Sequence, residues 1–166
     1  MKDLEKLYTE IQPKIYAFFY IKTMNQSLAE DLTQDVFYQA LKGIHSFSGK
    51  STLKTWVFSI AKNRLKTYYR SKKYMNSLHE KLVLEDPPSL SASPEELYIS
   101  KEEESQFLKR LERLADLPRE IMILRLYGEL SFKEIGELVN KSENYTRLAF
   151  HRAKLQLQKE MRVNNE

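Results

Sequence analysis

The chain has no cysteine, and only four glycines and five prolines among its 166 residues. Without a thiol it cannot form a disulfide, a Cys-based zinc site or a thiol nucleophile. Few glycines and prolines, with many Leu, Lys and Glu residues, favour helices over sheets. The sequence therefore predicts an all-α protein, and the lack of cysteine fits a reducing cytoplasm.

Long apolar runs are also missing. No segment approaches the roughly 20 apolar residues that a transmembrane helix needs, and the N-terminus does not resemble a signal peptide. The histidines His45, His79 and His151 are too scattered for a metal site, and no P-loop or nucleophile triad is present. We therefore expect a cytoplasmic protein without membrane insertion, metal, cofactor or enzymatic activity of its own.

Acidic residues are absent between Lys50 and Lys73, although the net charge of the whole chain is only +4. The segment contains eight basic residues: Lys50, Lys54, Lys62, Arg64, Lys66, Arg70, Lys72 and Lys73. Four aromatic residues interleave them: Trp56, Phe58, Tyr68 and Tyr69. Cations neutralise phosphates and aromatic rings stack on unpaired bases, so the pattern favours binding of a single nucleic-acid strand.

Apolar residues spaced by three and four predict three helices in the first half of the chain. Pro13 interrupts the first stripe, so we expect a bend there or a regular helix only from Pro13 onward. Ser27 is the expected N-cap of the second helix. The third should run from about Thr52 to Lys73, with Trp56 more often core than a wedge between bases. Arg64 falls on its apolar side and should need a carboxylate partner or an exposed head group.

The composition changes after residue 76. Residues 77–101 contain three prolines, several serines and mainly acidic charge, which is typical of a flexible linker between domains 1–76 and 102–166. Helical pattern returns near Ser93. A further short helix should open at Pro118, carry inward residues and end at Gly128. Those inward residues are Ile121, Leu124 and Leu126.

The last forty residues have the spacing of a helix-turn-helix. Ser131 and Glu134 form a capping box before a short helix, and Ser142 caps a longer helix after a turn at residues 139–141. Thr146, Phe150, Ala153 and Leu157 should face inward on the second helix, and Asn144, Arg147, His151 and Lys154 outward. In a major groove, Asn144 suits adenine and Arg147 suits guanine. A helical hairpin with a solvated basic face would show the same spacing.

Three segments, taken together, resemble the extracytoplasmic-function sigma factors of bacterial RNA polymerase, which belong to the sigma-70 family. They are Ala29–Phe37 (AEDLTQDVF), Thr55–Asn63 (TWVFSIAKN) and Leu130–Gly136 (LSFKEIG), followed by Ser142 and by His151–Lys154. The resemblance implies an all-α fold with two small helical domains, a sigma-2 bundle and a sigma-4 helix-turn-helix, on a flexible linker. It also implies a sigma factor that directs core polymerase to specific promoters.

The same resemblance implies the partners and the site residues. Sigma-2 would bind the beta-prime clamp helices through Asp31, Gln34, Asp35 and Phe37. It would hold the −10 element with Lys62, Asn63, Lys66, Tyr69, Arg70 and Lys73. Sigma-4 would bind the beta flap and read the −35 element with Asn144, Tyr145, Arg147, His151 and Lys154. An anti-sigma factor is implied as a further partner, and the linker should permit a compact inactive form.

Two other classes of function account for part of the sequence. A free-standing helix-turn-helix regulator, binding duplex DNA as a homodimer, would explain residues 130–160 but not the cationic-aromatic third helix. An interaction module with solvated basic faces would bind no nucleic acid. Carboxylates such as Asp31 near a helix start can also simply complement the helix dipole.

Overall fold

The computed structural model describes residues 2–82 and 98–163, with side chains described from 5 to 78 and from 102 to 163. Seven α-helices and one 3₁₀ turn make up this part of the chain, and it contains no β-strand. The helices are α1 (Lys2–Thr23), α2 (Gln26–Gly43), α3 (Leu53–Leu82), α4 (Tyr98–Arg113), α5 (Asp116–Leu126), α6 (Phe132–Val139) and α7 (Glu143–Val163). The predicted all-α class is confirmed.

Helices α1, α2 and α3 pack together as an N-terminal bundle. The expectation of a regular helix only from Pro13 is wrong, because α1 begins at Lys2 and continues through Pro13. Ile11 and Ile15 on either side of it are buried, and their packing offsets the roughly 3 kcal/mol that an interior proline costs.

The N-cap of α2 also differs from the prediction. Asn25 rather than Ser27 is the cap, and its side chain accepts a hydrogen bond from the Leu28 amide at 3.1 Å. The preceding Met24 has a left-handed backbone with φ of 53°, which turns the chain sharply between α1 and α2. Because this turn is tight, α2 starts before Ser27, and Ser27 lies inside its first turn.

Helix α3 is longer than predicted. It continues past Lys73 to Leu82, so residues 77–82 of the segment assigned to the linker are helical. The segment between α2 and α3 contains the 3₁₀ turn at Ile44–Ser46. The predicted helix start near Ser93 lies outside the described residues.

The C-terminal half confirms the helix-turn-helix. Ser131 and Glu134 form the capping box, and Asn140 ends α6 in the left-handed conformation with φ of 58°. The Ser142 hydroxyl accepts a hydrogen bond from the Tyr145 amide at 3.0 Å at the start of α7. Helix α5 begins at Asp116, and Pro118 lies in its first turn, where proline is tolerated.

One residue predicted to face inward from α5 does not. Ile121 and Leu124 are fully buried, whereas Leu126 is 44% exposed. Two residues advance a helix by about 200°, so Leu126 points away from the direction that buries Leu124.

The two halves share one apolar core. Buried residues from α1, α2 and α3 form a single cluster with buried residues from α4 to α7. Phe58 of α3 is fully buried, and its ring lies so close to Gly128 that a Cβ there would be 3.1 Å from it. Within the described residues, no helix is long and apolar enough to cross a membrane.

Candidate nucleic-acid interface

The cationic face of α3 is largely free of protein contacts. Asn63, Lys66, Arg70 and Lys73 are exposed, at positions three to four residues apart along one side of the helix. Tyr69 is 43% exposed, and its hydroxyl donates to the Lys22 carbonyl at 2.8 Å. This hydrogen bond holds the Tyr69 ring at the edge of the face, and burial raises the pKa of its hydroxyl.

Lys62 is the exception on this face. Its ammonium group donates to the Leu138 carbonyl of α6 at 3.0 Å and lies 4.0 Å from the Glu120 carboxylate of α5. Burial lowers the pKa of the Lys62 ammonium, although Glu120 opposes the shift. Lys62 is therefore bound by the C-terminal half of the same chain.

The aromatic residues that interleave the cations do not form a common stacking surface. Phe58 is fully buried, so its ring is not available to stack on a base. Trp56 is half-buried and packs against Phe47 with ring centroids 5.3 Å apart, as expected of a core residue. Tyr68 packs partly against the core. Of the four rings, Tyr69 is the most open to solvent.

The helix-turn-helix presents its predicted outward residues. Asn144, Arg147, His151 and Lys154 are exposed, and Tyr145 is 44% exposed. Inward, Thr146, Ala153 and Leu157 are buried and Phe150 is half-buried. The predicted division of α7 into inward and outward residues is therefore confirmed.

Neighbouring side chains hold Arg147. Its guanidinium donates to the Glu143 carboxylate at 3.0 Å and lies 5.6 Å from the centre of the Phe132 ring. The Thr146 hydroxyl lies 2.8 Å from the Phe132 carbonyl, which joins α7 to the start of α6. These contacts fix the N-terminal turn of α7, the part of a recognition helix that meets base edges.

The polar residues of α2 that were predicted to bind the clamp helices have two different environments. Asp31 and Gln34 are exposed, while Asp35 accepts a hydrogen bond from Arg64 at 2.6 Å. This ion pair confirms the expected carboxylate partner of Arg64. Phe37 is only 9% exposed, and its ring packs edge-on against Tyr8. Its side chain therefore packs α2 against α1.

Sequence reasoning missed an apolar part of this surface. Leu41 of α2 is 62% exposed beside Tyr38, which is 63% exposed, and Leu41 lines a small apolar cavity of about 40 Å³. Leu41 lies three residues after Tyr38 and off the buried stripe, which was the available signal. Among the described residues there is no cluster of His, Asp or Glu that could hold a metal ion.

Two family models match the chain, one in each half. Sigma-70 region 2 matches residues 7–74, and Sigma-70 region 4 matches residues 104–157. RNA polymerase sigma factor YlaC of Bacillus subtilis (strain 168) is 33% identical over 99% of this chain and 95% of its own. The chain belongs to the sigma-70 family.

Further comparisons agree with an extracytoplasmic-function (ECF) member of that family. ECF RNA polymerase sigma factor SigX of B. subtilis (strain 168) is 25% identical over 99% of this chain and 87% of its own. The sigma factor RpoE of Bartonella quintana, solved with the anti-sigma factor NepR, has the same fold with a TM-score of 0.70. It is 23% identical, over 98% of this chain and 99% of that one.

The protein is thus an ECF sigma factor, a subunit that directs core RNA polymerase to specific promoters. The alternative of a free-standing helix-turn-helix regulator is not favoured, because the region 2 match accounts for the N-terminal bundle that such a regulator leaves unexplained.

Proposed function

We propose that this sigma factor divides its work between the two halves of the chain. Residues 1–76 bind the beta-prime clamp helices of core polymerase and hold the melted −10 strand. Residues 102–166 bind the beta flap and read the −35 duplex, and residues 77–101 link them. The observation that carries this division is the pair of separate surfaces, the cationic face of α3 and the exposed N-terminal turn of α7.

On α3, Asn63, Lys66, Arg70 and Lys73 contact the −10 strand, and Tyr69 offers its ring to an unpaired base. Lys62 joins them once it is released from Leu138. Exposed cations release counterions from phosphates, and a stacked base gains about 1–3 kcal/mol, which offsets the cost of unpairing it.

On α7, Asn144 and Arg147 read base edges, and Tyr145, His151 and Lys154 contact the flanking bases and phosphates. The Glu143 and Phe132 contacts of Arg147 support this role, because they hold its guanidinium at the helix N-terminus. A bidentate contact from such a side chain discriminates between bases by about 1–3 kcal/mol.

The clamp-binding surface consists of Asp31, Gln34 and Asp35, with Phe37 packing behind them. We include an anti-sigma factor among the partners, a cytoplasmic location, and no enzymatic activity apart from the polymerase.

In vitro transcription with reconstituted holoenzyme, on a library of genomic fragments, tests these assignments. Arg147→Ala should weaken discrimination among −35 sequences, and the matched control Arg162→Ala, at the far end of α7, should not. Lys66→Ala with Arg70→Ala should chiefly reduce promoter opening, measured by permanganate reactivity of unpaired thymines. Lys6→Ala with Lys159→Ala removes the same charge at two exposed positions away from α3 and should leave opening intact. Normal transcription by both test variants would refute the two DNA surfaces.

A further inference from the structure

The C-terminal half presents hydrogen-bond acceptors and negative charge to the cations of the N-terminal half. The Glu120 carboxylate pairs with Lys22 of α1 and faces Lys62 of α3. The backbone carbonyls of Leu138 and Glu129 accept hydrogen bonds from Lys62 and Lys54, at 3.0 and 2.8 Å. These contacts place oxygen atoms where a nucleic-acid strand would offer phosphates.

Two further contacts join the C-terminal half to the N-terminal bundle. The Glu129 carboxylate pairs with Lys14 of α1 at 3.0 Å, and the Glu134 carboxylate accepts from the Thr52 hydroxyl at 3.1 Å. We call Glu120, Glu129, Glu134 and the Leu138 carbonyl the acceptor face. It engages four lysines: Lys14 and Lys22 of α1, and Lys54 and Lys62 of α3.

The acceptor face is backed by apolar packing. Phe58 lies one turn before Lys62 on α3, is fully buried, and packs on Gly128 between α5 and α6. The side chain of Glu120 is itself only 15% exposed. A carboxylate so buried is compensated by its lysines, so losing the carboxylate should favour separation of the two halves.

This packed arrangement cannot span a promoter. The −35 and −10 elements are named for their positions along the promoter, so they lie about 25 base pairs apart. That separation is roughly 85 Å of B-form DNA. Here α6 of the helix-turn-helix touches α3 directly through Lys62 and Leu138. Residues that serve the two elements must therefore move apart before both can bind.

We propose that the acceptor face is an intramolecular competitor for the −10 strand, which covers Lys62 and Lys54 until the promoter complex forms. The proposal rests on the function proposed above for α3. In the closed form α7 remains exposed, so the −35 surface is available while part of the −10 surface is occupied. A single strand and the acceptor face then exclude one another at Lys62.

Binding of a labelled single-stranded oligonucleotide of random sequence to the free full-length protein is the first test. Glu120→Gln should raise the affinity by roughly three- to ten-fold, because it increases the population of the open, binding-competent form. Glu137→Gln is the matched control: it makes the same charge change on α6, and Glu137 is exposed and outside the acceptor face. Equal effects of the two variants, measured by fluorescence anisotropy, would overturn the competition.

A cross-link provides a second test that does not depend on how Glu120→Gln folds. Because the chain has no cysteine, Lys14→Cys with Glu129→Cys introduces the only two thiols. A short bis-maleimide should join them within one chain and abolish promoter opening by the holoenzyme. The same variant treated with N-ethylmaleimide should still open promoters.

The outcomes separate the two proposals. Failure to form the intramolecular cross-link would show that the closed form does not exist. Normal promoter opening by the cross-linked protein would show that the closed form does not prevent opening. If the N-ethylmaleimide control gave no promoter-dependent transcript, the function proposed for the chain would fail instead. The oligonucleotide comparison would then still decide whether the acceptor face competes with a nucleic-acid strand.

Discussion

The Arg64 guanidinium of α3 donates to the Asp35 carboxylate of α2 at 2.6 Å. The pair is partly exposed, with 33% of the arginine side chain and 49% of the aspartate side chain accessible. It joins the helix assigned to −10 binding to the helix assigned to clamp binding. Asp35 therefore has a structural role besides any contact with polymerase.

Asp35→Ala should lower the free energy of unfolding by roughly 0.5–1 kcal/mol, the upper part of the range for a partly exposed ion pair. Urea unfolding of the full chain measures the change. Asp31→Ala removes an exposed carboxylate one turn earlier and should change stability by less than about 0.5 kcal/mol. Both variants should bind core polymerase more weakly. Equal losses of stability in the two variants would show that the Arg64 contact contributes nothing.

Gly136→Ala should destabilise the helix-turn-helix by about 1–3 kcal/mol, the cost of overpacking. A Cβ at Gly136 would lie 2.5 Å from the Lys141 carbonyl oxygen, and this close approach shapes the turn between α6 and α7. Gly43→Ala is the control, because its Cβ would meet Trp56 at an ordinary 3.5 Å. Gly136→Ala should lower both the thermal unfolding temperature of the protein and its retention of −35 duplex DNA. Gly43→Ala should lower neither. Unchanged duplex retention by Gly136→Ala would contradict this account of the turn.

Local signals account for what the sequence predicted well. The Ser131–Glu134 capping box, the Ser142 cap and the inward residues of α7 depend on neighbours within one or two helical turns. The same signals gave the all-α class and the need of Arg64 for a carboxylate.

What the sequence missed depends on residues far along the chain. Phe58 was grouped with the cations because nothing within α3 reveals that Gly128, seventy residues later, covers it. The contact of Lys62 with Leu138 spans 76 residues and is equally invisible to helical periodicity. Asn25 was missed because the left-handed turn at Met24, which sets the start of α2, was not recognised.

The Lys62 ammonium group should have a pKa below that of an ordinary lysine in the free protein. Burial lowers the pKa of its ammonium group, Glu120 opposes the shift and Lys22 adds to it. Because the pKa in the folded chain lies below that in the unfolded chain, the unfolded chain binds more protons between the two values. Stability contributed by this group should therefore rise with pH across that window, below about 10.5.

NMR titration of ¹³C-methylated lysines measures this pKa, and Lys62→Arg identifies the resonance. In Glu120→Gln the Lys62 pKa should return toward its ordinary value if the halves separate. If they stayed closed, it would fall further, since burial would remain without the compensating carboxylate. A Lys62 resonance that titrates with the ordinary lysine pKa in the free protein would contradict the burial seen here.

Phe58→Ala should cost about 3–5 kcal/mol of unfolding free energy, because it opens a cavity at the centre of the shared core. The loss should reach the other half of the chain: amide hydrogen exchange in α5 should accelerate, since Gly128 lies two residues after the end of that helix and packs on the Phe58 ring. Val57→Ala is the control within the same turn of α3. Val57 is also buried, but it lines the cavity bounded by Leu7 and Ala40 of the N-terminal bundle. Val57→Ala should destabilise the N-terminal bundle, while amide hydrogen exchange in α5 should stay as slow as in the unmodified protein. Equal exchange in α5 for both variants would mean that Phe58 does not couple the two halves.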